Sequence, residues 1–147
     1  MLRVVIYGPD RSENRRIREL LEGLLRAAEI KPVFKEFTDD RDTFFTYVRH
    51  NPYLVMLVVQ TGPEGVETVR LAKGANPSAC LVWFSDQDYA LLAFELRLTF
   101  FGLLPVSREK AASALSACYY ASGYPPWSSI LSLAQPTHDS KLQIVPV

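Results

Sequence analysis

The stretch "YLVMLVVQTGPEGVETVRLAKGANPSACLVWF", residues 53–84, decides the fold class because it holds two similar strands with a helix between them. Residues 53–59 and 79–84 are nearly all apolar, which is typical of parallel strands covered on both faces. Residues 62–76 carry apolar side chains at helical spacing, and this helix closes at Gly74 and Asn76. Strand, helix and strand in this order predict a parallel unit.

The same alternation continues on both sides of this unit. It predicts strands at 2–7, 31–37 and 100–106 and helices at 10–30, 42–51, 86–98 and 107–122, with Ser107 as N-cap of the last helix. Five strand–helix units predict an α/β protein with a parallel sheet, right-handed crossovers and helices on both faces. Ligands of such sheets bind at the carboxyl ends of the strands.

Composition restricts the function classes without naming one. The 147 residues are 48% hydrophobic and 22% charged, which indicates one soluble globular domain with a full core. Lys plus Arg equals Asp plus Glu at 16 each, so no net field favours nucleic acid or an anionic membrane. No apolar run approaches the ~20 residues of a membrane span, and the start lacks a secretory signal, so a cytoplasmic location is expected.

Neither the cysteines nor the histidines have the spacing of a metal site. Cys80 and Cys118 fall in separate predicted elements, and reduced, partly buried thiols without redox chemistry are expected. His50 and His138 lie far apart in the sequence, which favours surface roles. The sequence therefore predicts no metal and no cofactor.

Two stretches resemble the receiver domain of bacterial two-component response regulators. "DYALLAFELRLTFFGLLPVS", residues 88–107, is similar to "EYALEAFEVGALDYLLKPVS" of receivers that precede a LytTR (LytR/AlgR-type) DNA-binding domain, and "LVMLVVQTGPEG", residues 54–65, resembles their "LVFLDIQMPGMDG". The resemblance covers residues 1–121. It implies a three-layer flavodoxin-like fold with a five-stranded parallel sheet of order 2-1-3-4-5. Residues 122–147 would be a linker and tail, in which "KLQIVPV" is similar to the opening strand of a LytTR domain.

The resemblance also shows which reactive groups this chain lacks. A receiver carries a phosphoacceptor Asp after its third strand, an acidic pair that holds Mg²⁺ after its first strand, and a Lys at its fifth. The corresponding positions here are Val58, Gly8 with Pro9, and Leu104. Valine cannot accept a phosphoryl group, so we expect no phosphorylation, no catalytic residue and no enzyme activity.

Two further receiver positions are retained: Ser85 at the hydroxyl position and Phe101 at the aromatic switch position. A shifted register would let Asp10 replace a lost metal ligand, but its spacing from Glu13 favours a helix N-cap. Glu64 is a second candidate substitute for the nucleophile, although an acidic residue in the first turn of a helix is an ordinary dipole partner.

The predicted fourth helix has more apolar residues than one packed face requires. Tyr89, Leu92 and Leu96 form one line, and Leu91 and Leu98 form another. The resemblance implies a homodimer through the fourth helix, fifth strand and fifth helix, with Tyr119 on the last. The alternative is that the tail folds back over this face within one chain.

The sequence therefore predicts a phosphorylation-independent signalling and dimerisation module of a transcription regulator. Its partners would be a second copy or a signalling protein, and DNA would be contacted only through a C-terminal domain outside this chain. The alternative is a small-ligand-binding or enzymatic flavodoxin-like domain that uses the strand ends near Gly8, Ser85 and Leu104.

Overall fold

The computed structural model describes residues 2–51 and 54–122. Strands and helices alternate along the chain as the sequence pattern predicts. The elements are β1 (Leu2–Tyr7), α1 (Arg11–Ala27), β2 (Pro32–Phe37), α2 (Arg41–Arg49), β3 (Leu54–Val59), α3 (Gly62–Ala75), β4 (Cys80–Ser85), α4 (Ala90–Glu95), β5 (Phe100–Leu103) and α5 (Arg108–Ser122).

The five strands form one parallel sheet in the order β2-β1-β3-β4-β5. This confirms the flavodoxin-like fold and the order 2-1-3-4-5. In the centre of the sheet, Tyr7 of β1 pairs in register with Val58 of β3, and Val58 pairs with Trp83 of β4. Since all strands run the same way, their carboxyl ends lie along one edge.

Apolar side chains alternate between the two faces of the sheet and form two core clusters. In β1, Val4 and Ile6 face a cluster shared with α1 and α5, which we call the first cluster. Val5 and Tyr7 face the second cluster, which contains buried residues of α2, α3 and α4. The central strands are therefore covered on both sides, as their continuous apolar sequences predict.

Helix α4 is shorter at both ends than the 86–98 expected from its sequence. It begins only at Ala90, and it ends because the chain turns into the left-handed region at Arg97 (φ 59°). The Arg97 amide donates to the Phe94 carbonyl and the Leu98 amide to the Ala93 carbonyl, which is a Schellman ending. β5 is also shorter than the expected 100–106 and ends before a cis Leu104–Pro105 peptide bond.

The predicted domain limits, 1–121 and 122–147, stay a prediction. α5 continues to Ser122, and the predicted tail from residue 123 onward lies outside the described residues.

Candidate functional site

The candidate site is the edge of the sheet where β1, β3, β4 and β5 end. Three backbone hydrogen bonds extend the strand pairing beyond the last residues of the strands. Amides of Gly8, Gln60 and Leu104 donate to the carbonyls of Phe37, Phe84 and Ser85, at 3.1, 3.2 and 2.9 Å respectively. The segments that leave the sheet are therefore held to their neighbours, which makes this edge a rigid platform.

Gly8 is buried and has no space for a side chain. A Cβ at this position would lie 2.4 Å from the Val59 carbonyl oxygen and 2.9 Å from Asn14 Oδ1. Asn14, on α1, is 1% exposed and donates from Nδ2 to the Gly8 carbonyl at 2.9 Å. The position that corresponds to an acid in receivers is therefore occupied by close backbone packing, and the adjacent Pro9 is exposed.

Val58, which the receiver resemblance aligns with the phosphoacceptor, is fully buried in the second cluster. Its register neighbours Tyr7 and Trp83 are buried as well, at 4% and 0% exposure. A carboxylate in this place would lose its hydration without gaining a cationic partner, which is costly. The apolar side chain fits an interior position of the core.

Ser85 retains its hydroxyl, but that group serves the local backbone. The side chain is completely buried, and Oγ accepts a hydrogen bond from the Gln87 amide at 3.2 Å. Leu104, which the resemblance aligns with the receiver lysine, is partly buried and packs against the first cluster. The Lys110 ammonium, in the first turn of α5, donates to the carbonyls of Leu103 and Pro105.

Trp83 is the residue of this region that the sequence reasoning missed. Its indole is completely buried and Nε1 donates to the Gln60 carbonyl at 2.9 Å. Tyr89 stacks on the indole with ring centroids 5.0 Å apart, and Phe101 meets it edge-on at 5.4 Å. An aromatic residue inside a buried strand was the available signal, but periodicity does not identify its neighbours. Phe101, which the resemblance aligns with the aromatic switch residue, is therefore packed against Trp83 as part of an aromatic cluster.

The two acidic residues considered as substitutes serve the helix ends. Asp10 accepts hydrogen bonds from the amides of Ser12 and Glu13 at 3.0 and 3.1 Å, which confirms it as the N-cap of α1. The Glu13 carboxylate is engaged by Arg16 at 2.8 Å. Glu64 lies exposed in the first turn of α3. Among residues 2–51 and 54–122, no three His, Cys, Asp or Glu side chains group as a metal site would require.

The apolar residues that α4 exposes are not the ones that the sequence predicted as an interaction surface. Tyr89, Leu92 and Leu96 are half-buried and pack against the second cluster, so the predicted interaction residues lie on the inner side of the helix. The outward side chains are Leu91, 73% exposed, and Phe94, 80% exposed. The interaction role itself stays a prediction, but its exposed residues are these two.

Tyr119, the fourth predicted interaction residue, is half-buried on α5 and packs against the first cluster. Its ring lies 5.2 Å, centroid to centroid, from that of Tyr120, which is 43% exposed. The α5 part of the predicted surface is therefore a partly covered tyrosine pair.

Within the described part of the chain, no helix is both long and apolar enough to cross a membrane.

No protein-family profile matches the sequence, and no curated protein matches it. Solved structures do match in three dimensions. One is CpaE, a pilus assembly protein from Burkholderia thailandensis E264, with a TM-score of 0.57 and 12% identity over 84% of this chain and 100% of that chain. Another is the constitutive lysine decarboxylase of E. coli, with a TM-score of 0.56 and 16% identity over 90% of this chain but only 19% of that chain. At these identities the likeness concerns the fold, which both comparisons support.

Proposed function

We propose that this chain is a pseudo-receiver: a non-catalytic signalling domain that works by protein–protein contact and not by phosphorylation. The observation that carries the proposal is the closure of the receiver site by packing. Val58 is fully buried, and Gly8 leaves no space for an acidic side chain. A domain that keeps this fold without the ionic groups must act through another part of its surface.

The surface that we propose is the outward side of α4 with the adjoining β5 and α5. Leu91 and Phe94 are the two most exposed large apolar residues in the described part of the chain, and Leu103 and Tyr120 are also exposed. Large exposed apolar side chains on neighbouring elements mark contact surfaces more often than single ones do. The receiver resemblance places a homodimer contact on this face, and a second copy is the occupant we propose.

The finer assignment rests on the sequence resemblance alone. Residues 88–107 and 54–65 support a receiver of the LytTR type, and the proposed setting is therefore transcription regulation through a DNA-binding domain beyond Val147. The length of the native reading frame tests this directly. A frame that ends at Val147, or that continues into an unrelated domain, would contradict the LytTR assignment and leave the pseudo-receiver proposal in place.

Phosphorylation independence is tested by incubating the chain with acetyl phosphate and Mg²⁺ and measuring its intact mass. The mass is expected to stay unchanged, while a receiver with an intact phosphoacceptor, treated in parallel, gains a phosphoryl group. A stable phosphoryl adduct on this chain would overturn the proposal.

The contact surface is tested by measuring the molar mass by light scattering across a concentration series. Phe94→Ser and Leu91→Ser should each weaken self-association at least about tenfold, because a buried apolar side chain contributes roughly 1.5–3 kcal/mol. Leu71→Ser on α3 is the matched control, since Leu71 is 47% exposed but lies on another helix. A strict monomer at high concentration would contradict the homodimer.

A second candidate, a small-ligand-binding domain, is favoured by one observation. Asn14 Oδ1 is buried beside Gly8 and accepts no hydrogen bond from the described residues. A buried amide oxygen without a donor is costly, and a polar ligand group would relieve it. Chemical-shift changes of the Asn14 side-chain amide on titration with small polar compounds would support this candidate.

A further inference from the structure

Two cysteines that are 38 residues apart in sequence meet at the opposite end of the sheet from the candidate site. Cys80 is the first residue of β4, and Cys118 lies in the last part of α5. The Cys80 thiol donates to the Cys118 carbonyl with Sγ 3.7 Å from the oxygen, so the two residues are in direct contact. Both cysteines are free.

The two thiols differ in their surroundings. Cys80 is 8% exposed next to the turn that precedes β4, whereas Cys118 is fully buried. The hydrogen bond from the Cys118 thiol lowers the pKa of Cys80 against the opposing effect of burial, and the Thr99 hydroxyl and the charge of Lys73 lower it further. The same hydrogen bond, together with burial, raises the pKa of Cys118.

This asymmetry is typical of an attacking and a resolving thiol. The thiolate is the reactive form of cysteine, and the group with the lower pKa and the greater exposure forms it more readily. Cys80 has both properties, and Cys118 lies next to it with its proton retained. The arrangement therefore suits two successive reactions, in which Cys80 reacts first and Cys118 then attacks the Cys80 sulfur.

We infer that Cys80 and Cys118 are an oxidative modification site, at which a hydroperoxide converts the two thiols into a disulfide that links β4 to α5. This inference is independent of the proposed pseudo-receiver function, because it uses neither the carboxyl-end site nor the exposed face of α4. It departs from the sequence-based expectation that the two cysteines have no redox chemistry, and the experiment below decides between the two.

With hydrogen peroxide as the hydroperoxide and the only oxidant, the reaction balances. The Cys80 thiolate attacks the O–O bond, a sulfur–oxygen bond forms, and the released hydroxide takes up a proton to leave as water. Cys118 then loses its proton and attacks the Cys80 sulfur, so that the sulfur–sulfur bond forms, the sulfur–oxygen bond breaks and a second water leaves. Two thiols and one hydrogen peroxide thus give one disulfide and two waters.

The test uses the full 147-residue chain with hydrogen peroxide. The reduced protein is treated under native conditions and, in parallel, in urea, and its intact mass and free thiols are then measured. Native protein should lose two hydrogens and both alkylatable thiols, and a reductant should restore them. Pairing in urea should be slower by about tenfold or more, because the unfolded chain no longer holds the thiols together.

Two serine variants separate the roles, and circular dichroism checks that both are folded. With Cys118→Ser, a dimedone probe should trap a sulfenic acid at Cys80, because no resolving thiol remains. With Cys80→Ser, labelling of Cys118 should be slower by about tenfold or more, since that thiol is buried and protonated. Serine keeps a hydroxyl donor at either position.

Three outcomes would overturn the inference. Native wild-type protein could keep both thiols alkylatable, it could form disulfides only between chains, or it could pair its thiols no faster when folded than in urea. Equal dimedone labelling of the two folded variants would overturn the assignment of Cys80 as the attacking thiol.

Discussion

Gly8 lies so close to Val59 that a Cβ on residue 8 would be 2.4 Å from the Val59 carbonyl oxygen. The contact joins the end of β1 to the end of β3, where the receiver resemblance expects an acidic pair and a phosphoacceptor. The backbone itself therefore leaves no space for the first of these carboxylates. Restoring an acid by substitution requires the two strand ends to separate.

Gly8→Ala should lower the free energy of unfolding by about 1–3 kcal/mol, because the added methyl group overpacks the backbone of β3 and the Asn14 amide. Gly23→Ala is the control within α1, since nothing lies within 4 Å of its Cβ position. This second change should stabilise the protein by about 0.5–1 kcal/mol. Urea unfolding of both variants measures the difference, and equal effects would contradict the packing argument.

Val58→Asp should destabilise the protein by about 3–5 kcal/mol at neutral pH, because it places an unpaired carboxylate in the second cluster. Burial raises the pKa of such a carboxyl in the folded state above its unfolded value. The loss should therefore shrink as the pH falls and the carboxyl becomes protonated. Val58→Asn, which cannot titrate, is the control and should show no such recovery. A Val58→Asp variant as stable as wild type would contradict the buried position.

Arg97→Gly should stabilise the protein by about 0.5–1 kcal/mol, because glycine adopts the left-handed region at the end of α4 without steric cost. The gain is partly offset by the greater entropy of glycine in the unfolded chain. Arg70→Gly, inside α3, is the matched control and should destabilise by about 1 kcal/mol. Thermal unfolding would check both, and the opposite sign for Arg97→Gly would refute the Schellman ending.

Asp40 should stabilise the protein through the N-cap of α2, and this contribution should decrease as the pH falls in the acid range. Its carboxylate accepts hydrogen bonds from the side chain and the amide of Thr43, and these lower the pKa of Asp40 from its ordinary value. A lowered folded pKa gives stability that is present above the unfolded pKa and lost as the pH falls through the folded value. The stability advantage of wild type over Asp40→Asn should therefore shrink as the pH falls and Asp40 becomes protonated. A difference in melting temperature that does not change with pH would count against this role.

The sheet was predictable because its signals are local. The runs at β1, β3 and β4 are apolar on both faces, and each is followed by a helix, which fixes a parallel sheet before any contact is known. The end of α4 was not predictable in this way. Arg97 ends the helix in a conformation that usually calls for glycine, so the sequence carried no stop signal.

The surroundings of the candidate site were only partly predictable. The resemblance identified Val58, Gly8 and Leu104 as replaced positions, but the absence of a carboxylate does not reveal how the space is filled. The aromatic cluster around Trp83 and the meeting of Cys80 with Cys118 join residues from separate elements. Contacts of this kind depend on the tertiary packing, on which single-sequence periodicity gives no information.

β5 is an outer strand of the sheet, and the Lys110 ammonium covers the carbonyls at its end. A cation at this border opposes the addition of another strand from a neighbouring molecule, which is the first step of fibril growth. Copies that meet on this side of the protein would therefore do so through side chains and not through backbone pairing of a further strand. Such an association stays dependent on concentration and can be reversed by dilution.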